Sequence, residues 1–127
     1  MESTTPARRA VEAATLAHAF RITAADRADA LAIRTRGDEV AWTWGELRER
    51  VDALAGGLAA LGLRRGDTVA LLLGNRPEFH QCDLAAMMVG ATPFSIYVQY
   101  TPEQIRYLVQ DAGSRILITE QPNFFVS

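Results

Sequence analysis

The stretch from Thr43 to Phe79 constrains the fold more than any other part of the chain: TWGELRERVDALAGGLAALGLRRGDTVALLLGNRPEF. It predicts a long amphipathic helix, a tight polar turn, a buried strand and the start of a second helix. Thr43 is a suitable N-cap, and Glu46 three residues later completes a capping box. Leu47, Val51, Leu54, Leu58 and Leu61 recur at spacings of four and three, which places them on one helical face. Glu46 and Arg50, and Arg48 and Asp52, are opposite charges one turn apart on the wet side. Gly62 stands where a left-handed C-cap is expected.

Two residues in this helix run against helix propensity. Gly56 and Gly57 each cost about 1 kcal/mol relative to alanine. Close packing against a neighbouring backbone is the expected compensation, and a ligand approaching there is the other reading. Arg64-Arg65-Gly66-Asp67 then forms a turn. Thr68 to Leu73 is apolar without alternation, as in a strand covered on both faces. Gly74 breaks it, and Asn75 is the expected cap of the next helix, with Pro77 in its first turn and Glu78 at the capping-box position.

The remaining elements follow the same logic. Thr15 caps a first helix with Leu16, Ala19 and Phe20 on one side, fading near Arg27. Leu31 to Thr35 alternates, Arg36 to Glu39 is a turn, and Val40 to Thr43 is a second strand, so the pair reads as a β-hairpin. Trp42 is expected as a core anchor. The helix begun at Pro77 runs to about Val89, with Phe79, Cys82, Ala86 and Val89 on one face and its last turns apolar nearly all round. Phe94 to Val98 reads as a strand. Thr101 caps a helix with Pro102 at its first position, Gln104 reaching back, and Ile105, Leu108 and Val109 inward. Gly113 stops it, and Arg115 to Thr119 is a further strand. Crossovers of this length imply parallel strands.

The totals bound the function classes. At 127 residues the chain suits one domain or part of one. A formal net charge of −2 argues against a broad nucleic-acid-binding surface. The single cysteine, Cys82, forms no intramolecular disulfide, which favours a reducing, cytoplasmic compartment. All 13 basic residues are arginine, so any chemistry that needs a lysine cannot come from these residues. Residues 1–14 are small and polar and read as a flexible tail without an export signal. No segment approaches the length of a membrane helix. His80 and Asp83, three apart, invite an acid–base reading, but no nucleophile or metal partner is near in sequence, and a surface pair is the expectation. His18 has no evident partner.

Residues 42–79 resemble the amino-terminal part of the adenylate-forming enzymes, the superfamily of acyl-CoA synthetases, adenylation domains of peptide synthetases and luciferases. The resemblance runs from about Thr15 to Glu120. Ser95-Ile96-Tyr97 followed by Pro102-Glu103-Gln104-Ile105-Arg106-Tyr107 is similar to long-chain fatty acyl-CoA synthetases, where a Ser-Ile-Tyr run precedes Pro-Glu-Gln-Ile. Many other members carry an Asn-Pro pair near Gln99-Tyr100; this chain does not. The resemblance implies an α/β fold, the amino-terminal portion of the adenylate-forming fold, with a mostly parallel sheet, helices packed on it and a preceding β-hairpin. Residues 15–127 then form part of an amino-terminal subdomain.

The resemblance also implies a chemistry. The complete enzymes use ATP and Mg²⁺ to convert a carboxylate, here a long-chain fatty acid, to an acyl adenylate, which the CoA thiol then resolves. Their phosphate loop with its lysine, metal-binding Thr-Glu pair, ribose-binding aspartate and catalytic lysine match no residue here. No catalytic, cofactor-binding or metal residue is therefore assigned, and the chain alone is expected to be inactive. Two functions remain open: the amino-terminal piece of a long-chain fatty-acid–CoA ligase, truncated or completed by a remainder, or a non-catalytic α/β module that binds a partner such as another synthetase chain. Either leaves sheet edges uncovered, so the chain is expected to self-associate or to need a partner such as the remainder of a synthetase. The last residues, Gln121 to Ser127, continue no pattern.

Overall fold

The computed structural model describes residues 9–120. The expected tail up to residue 8 and the Gln121–Ser127 segment lie outside the described residues. Four helices and five strands follow one another: α1 (Leu16–Asp26), β1 (Leu31–Arg34), β2 (Ala41–Thr43), α2 (Trp44–Ala60), β3 (Thr68–Leu72), α3 (Pro77–Val89), β4 (Thr92–Ser95), α4 (Pro102–Ala112) and β5 (Ile116–Thr119). A single 3₁₀ turn, Ala10–Glu12, precedes them and another, Arg36–Asp38, closes the hairpin.

β1 and β2 pair antiparallel. β3, β4 and β5 form one parallel sheet with β3 in the centre, order β4-β3-β5. The chain steps from β3 to β4 on one side and then crosses back over β3 to β5. Crossovers of one hand taken in opposite directions place their helices on opposite faces. Successive β3 side chains show this division, because they point to alternate faces. Val69 and Leu71 join a core with Leu47, Val51 and Leu58 of α2 and Cys82, Ala85 and Ala86 of α3. Ala70 and Leu72 face Ile96 and Ile105 under α4. Covered on both sides, β3 is buried from Val69 to Leu72, which is why its sequence is apolar without alternation.

The starts of α1, α2 and α4 and the end of α2 follow the predicted chemistry. The Thr43 hydroxyl accepts the Glu46 N–H at 3.1 Å while the Glu46 carboxylate faces the Thr43 N–H, and Thr101 with Gln104 repeats the box on α4. Thr15 accepts the His18 N–H at 3.1 Å. At the end of α2, Gly62 turns left-handed (φ +99°), the Gly62 N–H donates to the Ala59 carbonyl and the Leu63 N–H to the Leu58 carbonyl. This is a Schellman motif, and its apolar pair is Leu58 with Leu63, both buried. Burying such a side chain contributes about 1.5–3 kcal/mol. Trp42 is buried as expected, with the Arg50 guanidinium 4.2 Å above its ring.

Several expectations are corrected. Leu61, placed by spacing on the inner face of α2, is 74% exposed, because the helix ends at Ala60 and the left-handed turn brings Leu63 inward instead. Leu16 of α1 is likewise exposed; Phe20 and Ala24 make the buried face. The cap of α3 is Arg76, not Asn75, and no side chain caps it. The fourth strand is Thr92–Ser95 rather than Phe94 to Val98, since its ladder starts where the Thr92 N–H meets the Asp67 carbonyl at 2.8 Å. Pro93 is tolerated there because β4 is an edge strand. Gly56 and Gly57 are not pressed on any backbone: a Cβ at either would have no atom within 4 Å beyond its own helix and neighbours. Among the described residues, no helix is long and apolar enough to cross a membrane.

Candidate functional site

An open parallel sheet binds ligands outside the carboxyl ends of its strands, at the point where the strand order reverses. Here that point lies between β3 and β5. The loop leaving β3 reaches Gly74 and Arg76, and β5 runs out at Glu120. One Glu120 carboxylate oxygen accepts the Gly74 N–H at 2.6 Å, and the other is paired with the Arg76 guanidinium. The Arg76 Nε also meets Glu78 at 3.0 Å, so one guanidinium stands between two carboxylates. The Gly74 N–H and then Arg76 hold the Glu120 carboxyl below its ordinary value, and the two carboxylates raise Arg76. A Cβ at position 74 would stand 3.1 Å from Glu120 Oε1, so a side chain there would push that carboxylate back by a few tenths of an ångström. At the opposite end, the Thr68 hydroxyl ties β3 to the carbonyl of Ala112 at 3.0 Å and to the Ser114 hydroxyl at 2.9 Å.

A second concave feature is an apolar cleft of about 410 Å³ between α1, the hairpin, α2 and α3. Phe20 and Leu47 lie in it, Ile33, Trp44 and Leu84 line it, and Thr23 and His80 supply its polar groups. His80 is exposed and stands edge-on to the Phe79 ring at 5.8 Å. Burial pushes the Asp83 carboxyl up, and the nearby His80 opposes that more weakly. No hydrogen bond joins His80 to Asp83 or to Thr23 among the described residues. The geometry thus brings His80 to a cleft but builds no nucleophile–base pair there. His18 is half-buried in a different cleft with Arg21 and Arg65.

ATP and Mg²⁺ can be tested against these residues. Among the described residues, no three His, Cys, Asp or Glu side chains come together as metal ligands. Gly56 and Gly57 lie inside α2 and Gly66 in a single turn, so none of these glycines opens a phosphate-cradling run of backbone amides among the described residues. The residues do not fit the group, and no step through it is derived. Sequence reasoning missed Glu120, which meets Arg76 and Gly74 only because β3 and β5 are neighbours; no local spacing announces a partner 44 residues away.

Comparison with known proteins agrees with the fold. An uncharacterised protein of Mycobacterium tuberculosis, Rv1549, is 45% identical over 107 residues, which are 84% of this chain and 61% of that one. An acetyl-coenzyme A synthetase of Halorhodospira halophila is 36% identical over 100 residues, 68% of this chain and 16% of the synthetase. Among solved structures, the inhibitor-bound amino-terminal domain of FACL13 from M. tuberculosis superposes with a TM-score of 0.75 at 27% identity, covering 79% of this chain and 25% of that domain. This chain therefore spans about three-fifths of the first relative and a much smaller share of the synthetase. The AMP-binding enzyme family matches residues 20–126, and the chain belongs to that family.

Proposed function

We propose that the chain is the amino-terminal part, within residues 15–127, of a fatty-acid–CoA ligase of the long-chain type, the piece that supplies scaffold rather than chemistry. The observation that carries this is the likeness to two solved structures from M. tuberculosis, the amino-terminal domain of FACL13 and a protein described as a fatty acyl CoA synthetase, on each of which 79% of this chain superposes at 27% identity. The Ser95-Ile96-Tyr97 run points the same way. The relatives also include an acetyl-CoA synthetase and a 3-hydroxybenzoate–CoA ligase, and the long-chain assignment rests on the Ser95-Ile96-Tyr97 run and on that likeness. The complete enzyme uses ATP, Mg²⁺ and CoA. Stabilising the charge that develops at phosphorus requires positioned donors and metal. The described residues offer scattered arginines, and charge without geometry gives little rate. A cytoplasmic location fits the lone buried cysteine.

A second reading has its own support. The aligned stretch fills 61% of Rv1549 but only 16% of the acetyl-coenzyme A synthetase, so a much shorter relative exists beside the full-length enzymes. On that reading the chain is a non-catalytic module that binds a partner such as another synthetase chain. Fatty-acid-dependent exchange of pyrophosphate into ATP separates the two. The purified chain is expected to show none. Exchange that appears when the chain is mixed with the remainder of a homologous synthetase supports the ligase reading. Exchange by the chain alone overturns the assignment of a scaffold, and none in the mixture favours the module.

A further inference from the structure

The chain has three tyrosines, and all three converge on one exposed surface. Tyr97 and Tyr100, in the loop between β4 and α4, hold their rings 5.9 Å apart and tilted by 34°. Tyr107 projects from the second turn of α4. They are 65%, 41% and 65% exposed and lie together rather than scattered, and it is a contiguous exposed patch that marks an interaction surface. Between Tyr100 and Tyr107 runs a cleft of about 390 Å³, completed by Glu103, Gln104 and Leu108.

The charge beside these rings is acidic. Glu103, Tyr107 and Asp111 succeed one another at intervals of four on α4, so both carboxylates flank Tyr107 along one stripe. Neither Glu103 nor Asp111 enters an ion pair among the described residues. Arg106, three residues after Glu103 on the helix, makes no ion pair with it among the described residues and does not line the cleft. Ring faces that attract cations, beside an unpaired carboxylate, fit a planar cation that both stacks and donates paired hydrogen bonds. We propose that Tyr97, Tyr100, Tyr107 and Glu103 form a docking site for an arginine side chain carried by a segment of a partner protein. The guanidinium stacks on Tyr100 and Tyr107 and pairs with Glu103. The same stacking occurs inside this molecule, where Arg50 covers Trp42.

The experiment uses the full 127-residue chain. Its tyrosine ring protons report on this surface alone, since no tyrosine lies elsewhere. Titration with a capped Gly-Arg-Gly peptide is expected to shift them saturably at low salt. The peptide with citrulline in place of arginine is expected to bind roughly tenfold more weakly, and so is the arginine peptide to Glu103→Gln. Tyr107→Leu weakens binding while Tyr107→Phe, which keeps the ring, retains it. All of these positions are exposed, and circular dichroism confirms the fold of each variant. Equal binding of the citrulline and arginine peptides overturns the proposal, as does binding indifferent to Glu103→Gln and Tyr107→Leu. Sedimentation that finds the tyrosines covered by a second copy, in a dimer dissolved by Glu103→Gln, also overturns it.

Discussion

Gly57→Ala is expected to stabilise this fold, although glycine in the middle of a long helix ordinarily suggests a tight contact. Gly57 lies within α2, Trp44–Ala60, and is exposed. A Cβ placed there meets no atom within 4 Å, and the same holds at Gly56. The substitution therefore meets no steric penalty. It removes backbone freedom from the unfolded chain and restores helix propensity, worth about 0.8–1 kcal/mol. Gly56→Ala contributes about the same, and the double variant about 1.5–2 kcal/mol. For a domain of this size each kilocalorie raises the melting temperature by roughly 4 °C. Thermal melts followed at 222 nm, with urea midpoints at unchanged slope, measure the gain. Gly90→Ala is the control. That glycine has φ +90°, and a Cβ there would lie 3.1 Å from the Arg65 Cγ, so alanine is expected to destabilise by more than about 1 kcal/mol. Gly57→Leu separates open space from contact most sharply. A leucine that stabilises relative to glycine is consistent with the exposed face. One that destabilises by about 1–3 kcal/mol, the range for overpacking, refutes the reasoning.

Three further outcomes are expected. Thr43→Ala removes the hydroxyl that accepts the Glu46 N–H and lowers stability by about 1 kcal/mol, read as a lower urea midpoint; no change would mean that the box is idle. Burial, then Glu78 and Asp83, raise the Cys82 thiol above its ordinary 9.0, so its contribution to stability is full below that pH and is lost as pH rises through the folded value. Alkylation of the native chain at pH 8 should be far slower than in urea, and equal rates would contradict the buried position. The Glu120 carboxyl is held below 4.5, so its contribution is present above that pH and is lost as pH falls through the depressed value. Glu120→Gln should flatten that part of the acid profile in urea titrations, and an unchanged slope would show that the contact with Gly74 and Arg76 is not maintained in solution.

Much of the architecture was legible because its causes are local. A capping hydroxyl and its acceptor sit three residues apart, as Thr43 with Glu46 and Thr101 with Gln104 do, so spacing alone reveals them. The unbroken apolar run at Thr68–Leu72 announces a strand covered on both faces, since no half-exposed strand tolerates it. The capped helices between the apolar runs imply parallel crossovers, and β3, β4 and β5 do pair in parallel. The same residues carry the resemblance to adenylate-forming enzymes, which is why the family was readable while its substrate was not: those residues build scaffold.

Tertiary structure decided what depends on groups distant in sequence. Periodicity put Leu61 on the inner face, but where the helix stops determines which leucine turns inward, and that was Leu63. Propensity marked Gly56 and Gly57 as costly, yet only the positions of the neighbouring elements show that nothing approaches them. Glu120 finds Arg76 and Gly74 because the crossover from β4 carries β5 back past β3, an ordering that no residue pattern states. Tyr97 and Tyr100 come from a loop and Tyr107 from the helix that follows. Their common surface arises from the turn into α4, which brings an irregular segment and a helical face to the two sides of one cleft.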